Sequence, residues 1–86
     1  MRMKRKRLLE RIKAGQMRNV RFLAFCSLLN DFGFELVRKV GSHHIFAHAE
    51  CPIQLNLQEV NGEAKPYQIR QFLALVERYN LEGNSD

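Results

Sequence analysis

The stretch Gly33–Gln58, GFELVRKVGSHHIFAHAECPIQLNLQ, decides the fold. Its end is the plainest part. In Ile53-Gln54-Leu55-Asn56-Leu57-Gln58 aliphatic residues alternate with amides, so a strand here turns Ile53, Leu55 and Leu57 one way and the amides the other. Upstream, His43 to His48 reads as a second strand. Phe34 to Val40 reads as a first, with Phe34, Leu36 and Val40 on one side and Glu35 and Lys39 on the other. Gly41-Ser42 is a tight-turn signal between the first two, and Glu50-Cys51-Pro52 turns the chain into the third. The amide face of the third strand predicts an antiparallel sheet left open on that side.

Helical patterns flank the stretch. Phe22, Phe25, Cys26, Leu29 and Phe32 form one stripe at helical spacing, widened by Leu28, and Gly33 supplies a left-handed stop. Downstream, Asn61-Gly62 marks a loop and Pro66 suits the first turn of a helix. Ile69, Phe72, Leu73 and Val76 follow at helical spacing, with Leu75 and Tyr79 beside them. The order helix, three-stranded meander, helix predicts an α+β fold. Both helices bury their stripes on one face of a three-stranded antiparallel sheet, and the other face stays open for a ligand, substrate or partner.

An extra basic helix over Lys4–Lys13 precedes this, with Leu8, Leu9 and Ile12 on one side and Ala14-Gly15 at its end. It is thinly apolar and is expected to be mobile unless it finds a surface. Residues 16–21 read as a linker. The expected organisation is a basic arm or short helix over 1–19, one domain over 20–82, and a frayed terminus over 83–86.

The chain has 86 residues, 45% of them hydrophobic, enough for one modest core and no second domain. Two cysteines, Cys26 and Cys51, exclude a disulfide scaffold. No apolar run is long enough for a membrane span or a signal peptide, so a cytoplasmic address is expected. The net charge of +5 is unevenly placed. Residues 1–21 hold nine Lys and Arg against one acid, Glu10, while residues 22–86 hold five against eight acids. The high pI therefore describes an arm, and a basic arm attracts phosphate backbones without reading sequence. A solubilising terminus and an acidic protein partner are the other readings.

The histidines His43, His44 and His48 lie together. As metal ligands they are badly spaced. Adjacent His43 and His44 face opposite ways on a strand, and His44 and His48 stand about 13 Å apart. Only His48 and Cys51 could meet, and two ligands are too few for zinc; no metal or other cofactor is expected. One of the adjacent pair must lean toward the helices as a packed, hydrogen-bonded side chain. Alternation does not say which, because Ile45 and Phe46 offer an apolar residue to each face. The remaining reading is acid–base chemistry, since histidine exchanges protons near neutrality. Taking the proton from a ribose 2′-hydroxyl would let that oxygen attack the adjacent phosphate without a metal. No Ser-His-Asp set, paired carboxylates or Gly-rich phosphate loop is visible.

Gly33-Phe34-Glu35-Leu36-Val37-Arg38 leading into Gly41-Ser42-His43-His44-Ile45-Phe46 resembles the signature of the HicA-type (YcfA-like) toxins. Leu55-Asn56-Leu57-Gln58 and Lys65-Pro66-Tyr67-Gln68-Ile69-Arg70-Gln71-Phe72 are similar to a subgroup of that family. The resemblance covers about residues 20–81. It implies a double-stranded-RNA-binding-domain-like α-β-β-β-α fold. It also implies a metal-independent mRNA-cleaving toxin, held inactive in a hetero-oligomer with a HicB-type antitoxin. The family's catalytic histidine falls at His43, with His44 as second choice. Gly41 would permit the turn, and Ser42, Arg38, Lys39 and Lys65 are the candidate substrate-binding residues. Where many relatives carry a further histidine, on or after the third strand, this chain has Asn56-Leu57-Gln58.

The competing function is a non-catalytic module of the same fold that grips RNA or a protein through its open face and arm. A purely structural adaptor is a third. His43 separates them: a binder tolerates its loss and a nuclease does not. Inhibition is expected to be steric, by a partner covering His43, with Arg38, Lys39 and Lys65 at the rim.

Overall fold

The computed structural model describes residues 2–83. Its elements are α1 (Arg2–Lys13), α2 (Phe22–Asp31), β1 (Glu35–Val40), β2 (His43–His48), β3 (Cys51–Gln58) and α3 (Pro66–Arg78). The strands form one antiparallel sheet in the order β1-β2-β3. This is the α+β arrangement expected from the sequence, including the N-terminal helix. Most of the expected frayed terminus, from residue 84 on, lies outside the described residues.

All three helices stop by the same device. The N–H of Gly33 bonds to Asn30 O and that of Phe34 to Leu29 O, both at 3.0 Å. This double closure requires a left-handed residue, and Gly33 has φ +92°. Gly15 (φ +92°) and Asn80 (φ 53°) close α1 and α3 through the same pair of bonds. The residues that follow Gly33 and Asn80, Phe34 and Leu81, then drop into the core.

The core lies between the helices and one face of the sheet. Phe72 of α3 is its centre, meeting Phe25, Phe32 and Phe34 edge-on at ring separations of 5.5, 5.2 and 6.1 Å. Phe46, Leu55 and Leu57 complete it from the sheet. Aromatic pairs in this geometry add roughly 0.5–1.5 kcal/mol each beyond the area they bury. The buried stripe of α3 is Gln68, Ile69, Phe72 and Leu75, rotated from the expected one, while Leu73 and Val76 are half-buried. Gln68 can lie inside because its Oε1 accepts the Lys65 N–H at 3.3 Å and its Nε2 faces Tyr67 OH at 3.5 Å.

Two expectations need correction. Residues 16–21 are no free linker: Val20 is buried, its carbonyl accepts the Ala64 N–H, and Phe22 N–H bonds to Gly62 O. These bonds tie the entry of α2 to the loop after β3. The alternation expected along β1 also fails, because the register shifts between Leu36 and Arg38. That bulge at Val37 re-aims the strand. Leu36 pairs with core-facing Phe46, but Val40 pairs with His43 and so shares the open face. β1 is also an edge strand, and all six of its residues are exposed.

The basic helix does find a surface. Ile12 is fully buried, and Leu8 and Leu9 pack against the core. Among the described residues, no helix is long and apolar enough to cross a membrane.

Candidate active site

The adjacent histidines separate as strand geometry demands, and packing decides which goes where. His44 faces the helices. Its ring lies edge-on to Phe22 at 4.9 Å, and its Nδ1 donates to the Ser42 carbonyl at 3.1 Å. His48, on the same face, is also structural: its ring packs edge-on to Phe34 at 5.1 Å, and its Nδ1 accepts the Glu50 N–H at 2.9 Å. His43 is left on the open face, exposed, at the end of β2.

Its surroundings are polar and ordered. His43 Nδ1 lies 3.0 Å from Asn56 Oδ1 on the neighbouring strand. An amide oxygen only accepts, so Nδ1 carries a hydrogen, and in the neutral imidazole Nε2 then keeps the lone pair. Gln58, the register partner of His43, donates from Nε2 to Ser42 Oγ at 3.2 Å. That serine hydroxyl therefore still has its own proton to donate. The loop holding Ser42 is a two-residue hairpin, Gly41-Ser42, with Gly41 at φ +60°. A II′-type hairpin places glycine there because its first central residue is left-handed.

The structure thus brings Ser42, His43, Asn56 and Gln58 together on the open face. Arg38 shares that face, being in register with Ile45. Lys39 is in register with His44, on the opposite face. Lys65 stands at the N-cap of α3, joined to the cluster by no hydrogen bond among the described residues. Asn56 was legible as an open-face residue, but its bond to His43 was not, because it needs the strand register as well as the alternation.

Neither thiol is placed as a nucleophile. Burial, then the nearby Glu59 carboxylate, pushes the Cys26 thiol up to about 11, so it stays protonated near neutrality. Cys51 is buried and its Sγ donates to Ile53 O at 3.3 Å. Among the described residues, no three His, Cys, Asp or Glu side chains converge as metal ligands would. What the open face offers is one oriented imidazole, a hydroxyl and two carboxamides. That set can take a proton and hold a phosphate by hydrogen bonds.

No curated protein and no solved structure gave a significant match to this chain. A family model does match: the HicA toxin of bacterial toxin-antitoxin, over residues 24–77. The matched span is more than half of the chain and runs from α2 through the three strands into α3, carrying the whole His43 cluster with it. On that match, the chain belongs to the HicA family of bacterial toxin–antitoxin toxins.

Proposed function

We propose that this toxin is an endoribonuclease that cleaves mRNA with His43 as general base. The observation that carries the reading is the His43–Asn56 bond, which fixes one ring nitrogen and leaves Nε2 as the base on an exposed polar face. Nε2 takes the proton of a ribose 2′-hydroxyl. The 2′-oxygen forms a bond to the adjacent phosphorus as the bond from phosphorus to the 5′-oxygen breaks. The departing oxygen takes a proton from water, leaving a 2′,3′-cyclic phosphate and a 5′-hydroxyl. The nucleophile belongs to the substrate, so the step needs no metal-activated water. A positioned base of this kind contributes roughly 10²–10⁴-fold. Ser42 and Gln58 hold the phosphate by hydrogen bonds and Arg38 adds positive charge on the same face, whereas Lys39, on the opposite face, and Lys65, at the start of α3, lie outside the cluster. His44, turned toward Phe22, acts by positioning the Ser42 turn rather than as the base.

The cognate antitoxin, of HicB type, covers this face and excludes RNA. Val40, in register with His43 and 53% exposed, gives it an apolar contact beside the imidazole. Expression in growing cells tests the reading. The wild-type chain should arrest growth with loss of mRNA, and His43→Ala should not. Unimpaired growth with intact mRNA on wild-type expression contradicts it.

A further inference from the structure

We propose that the groove between α1 and α2 binds the sugar–phosphate backbone of RNA; that this RNA is also the substrate rests on the nuclease reading above. The groove has a volume of about 530 Å³ and is lined by Arg5, Arg7, Arg11 and Arg21, with Asn19 and Ser27. Leu8 and Ala24 add an apolar floor, and among the described residues no carboxylate lines it.

Four guanidiniums around one groove repel one another. Arg7 and Arg11 stand one helical turn apart, a like-charge spacing that destabilises an isolated helix. Two of the four have partners within the chain. Arg11 donates to the Arg18 carbonyl, and Arg5 Nε lies 3.5 Å from Asp31 Oδ1. Each contact uses a single nitrogen, only that of Arg11 being a hydrogen bond, and a guanidinium has further N–H donors for a ligand. Arg7 and Arg21 are exposed. A guanidinium fork matches a phosphate in two parallel hydrogen bonds.

The cations are spread rather than focused. Arg5 and Arg11 are separated by about 9 Å along the helix axis, which suits a chain of repeating charges better than a single anion. Arg21 precedes Phe22, whose ring touches His44 on the helix side of the sheet, the side opposite His43. An acidic protein segment is the other polyanion of suitable charge, but guanidiniums spread along the groove match the regular run of phosphates on a nucleic-acid strand, which favours RNA. The sequence showed the basic arm; only the fold closes it against Arg21 into a groove.

The test uses the full chain and a short fluorescein-labelled single-stranded RNA with 2′-O-methyl riboses, which lacks the attacking hydroxyl. Affinity is measured across salt concentrations for wild type and for the Arg7→Gln/Arg21→Gln double variant. Losing two phosphate contacts should weaken binding about tenfold at low salt and flatten the log–log salt slope by about 1.4. An Arg7→Lys/Arg21→Lys variant with an unchanged melting temperature should keep the slope, which separates charge from misfolding. An unchanged slope in the Gln variant overturns the proposal. So does a glutamate-rich peptide that displaces the RNA from the wild type at lower charge concentration. Cleavage of an unmodified dinucleotide, too short to reach the groove, reads His43 chemistry separately. Cleavage with an unchanged slope defeats the groove alone. No cleavage with a flattened slope defeats the nuclease reading, and with it the RNA's role as substrate, while the binding site stands.

Discussion

Asn56 Oδ1 and His43 Nδ1 lie 3.0 Å apart across the β2–β3 pair, although the register partner of His43 is Gln58. The bond is thus diagonal, between residues two steps out of register on one face. Diagonal neighbours in a sheet come within reach of long or planar side chains. The imidazole is held by the neighbouring strand, so its orientation depends on the β2–β3 pair.

Removing that hold should lower activity without removing the base. Asn56→Leu should cut RNA cleavage about fivefold, the worth of one hydrogen bond of roughly 1 kcal/mol. Asn56→Asp keeps an accepting oxygen and should retain most activity. Equal rates for Asn56→Leu and wild type, on initial cleavage rates, would show that the bond does not orient the base.

Gly33 and Gly41 are both left-handed, but only one is crowded. A Cβ on Gly33 would lie 2.8 Å from His48 Nε2, whereas one on Gly41 meets nothing within 4 Å. Gly41→Ala should therefore cost only the backbone strain, about 1–2 kcal/mol. Gly33→Ala should cost more, and adding His48→Ala should recover part of the difference. Denaturant melts of the singles and the double check this, and additive losses would mean that His48 and residue 33 do not compete for the same space.

Cys26 should resist thiol reagents while the protein is folded. With its thiol pushed up to about 11 from an ordinary value near 9.0, little thiolate exists at pH 8. The same shift links to stability. The folded state disfavours the thiolate, so between about pH 9 and 11 the unfolded chain ionises first and stability falls as pH rises. Rapid labelling of the native protein at pH 8 would place Cys26 outside this environment.

Much of this was legible in the sequence, and the failures are local. The helix stops at Gly15 and Gly33 were readable because a left-handed closure leaves a glycine behind. The alternation of Leu55, Asn56 and Leu57 was readable because β3 has one buried and one open face. β1 was not: its bulge at Val37 moves Val40 to the open face, and an edge strand imposes no burial pattern. The choice between His43 and His44 was undecidable from alternation and was made by Phe22, which claims His44. Buried Gln68 escaped notice because its partner is a backbone N–H at the start of its own helix.

The antitoxin should shield the open face. In the complex His43 should lose its reactivity toward diethyl pyrocarbonate, and Val40→Lys should weaken binding through the apolar contact rather than through steering charges. An imidazole as reactive in the complex as in the free toxin would place the partner elsewhere, for instance over α3.

The most direct measurement is cleavage of a 5′-labelled RNA by purified wild type and His43→Gln, in EDTA, with the product ends identified. The account predicts cleavage by the wild type in chelator, fragments ending in 2′,3′-cyclic phosphate, and a loss of roughly 10²–10⁴-fold in His43→Gln. Activity that vanishes in EDTA and returns with a divalent metal, or a His43→Gln variant as active as wild type, would contradict it.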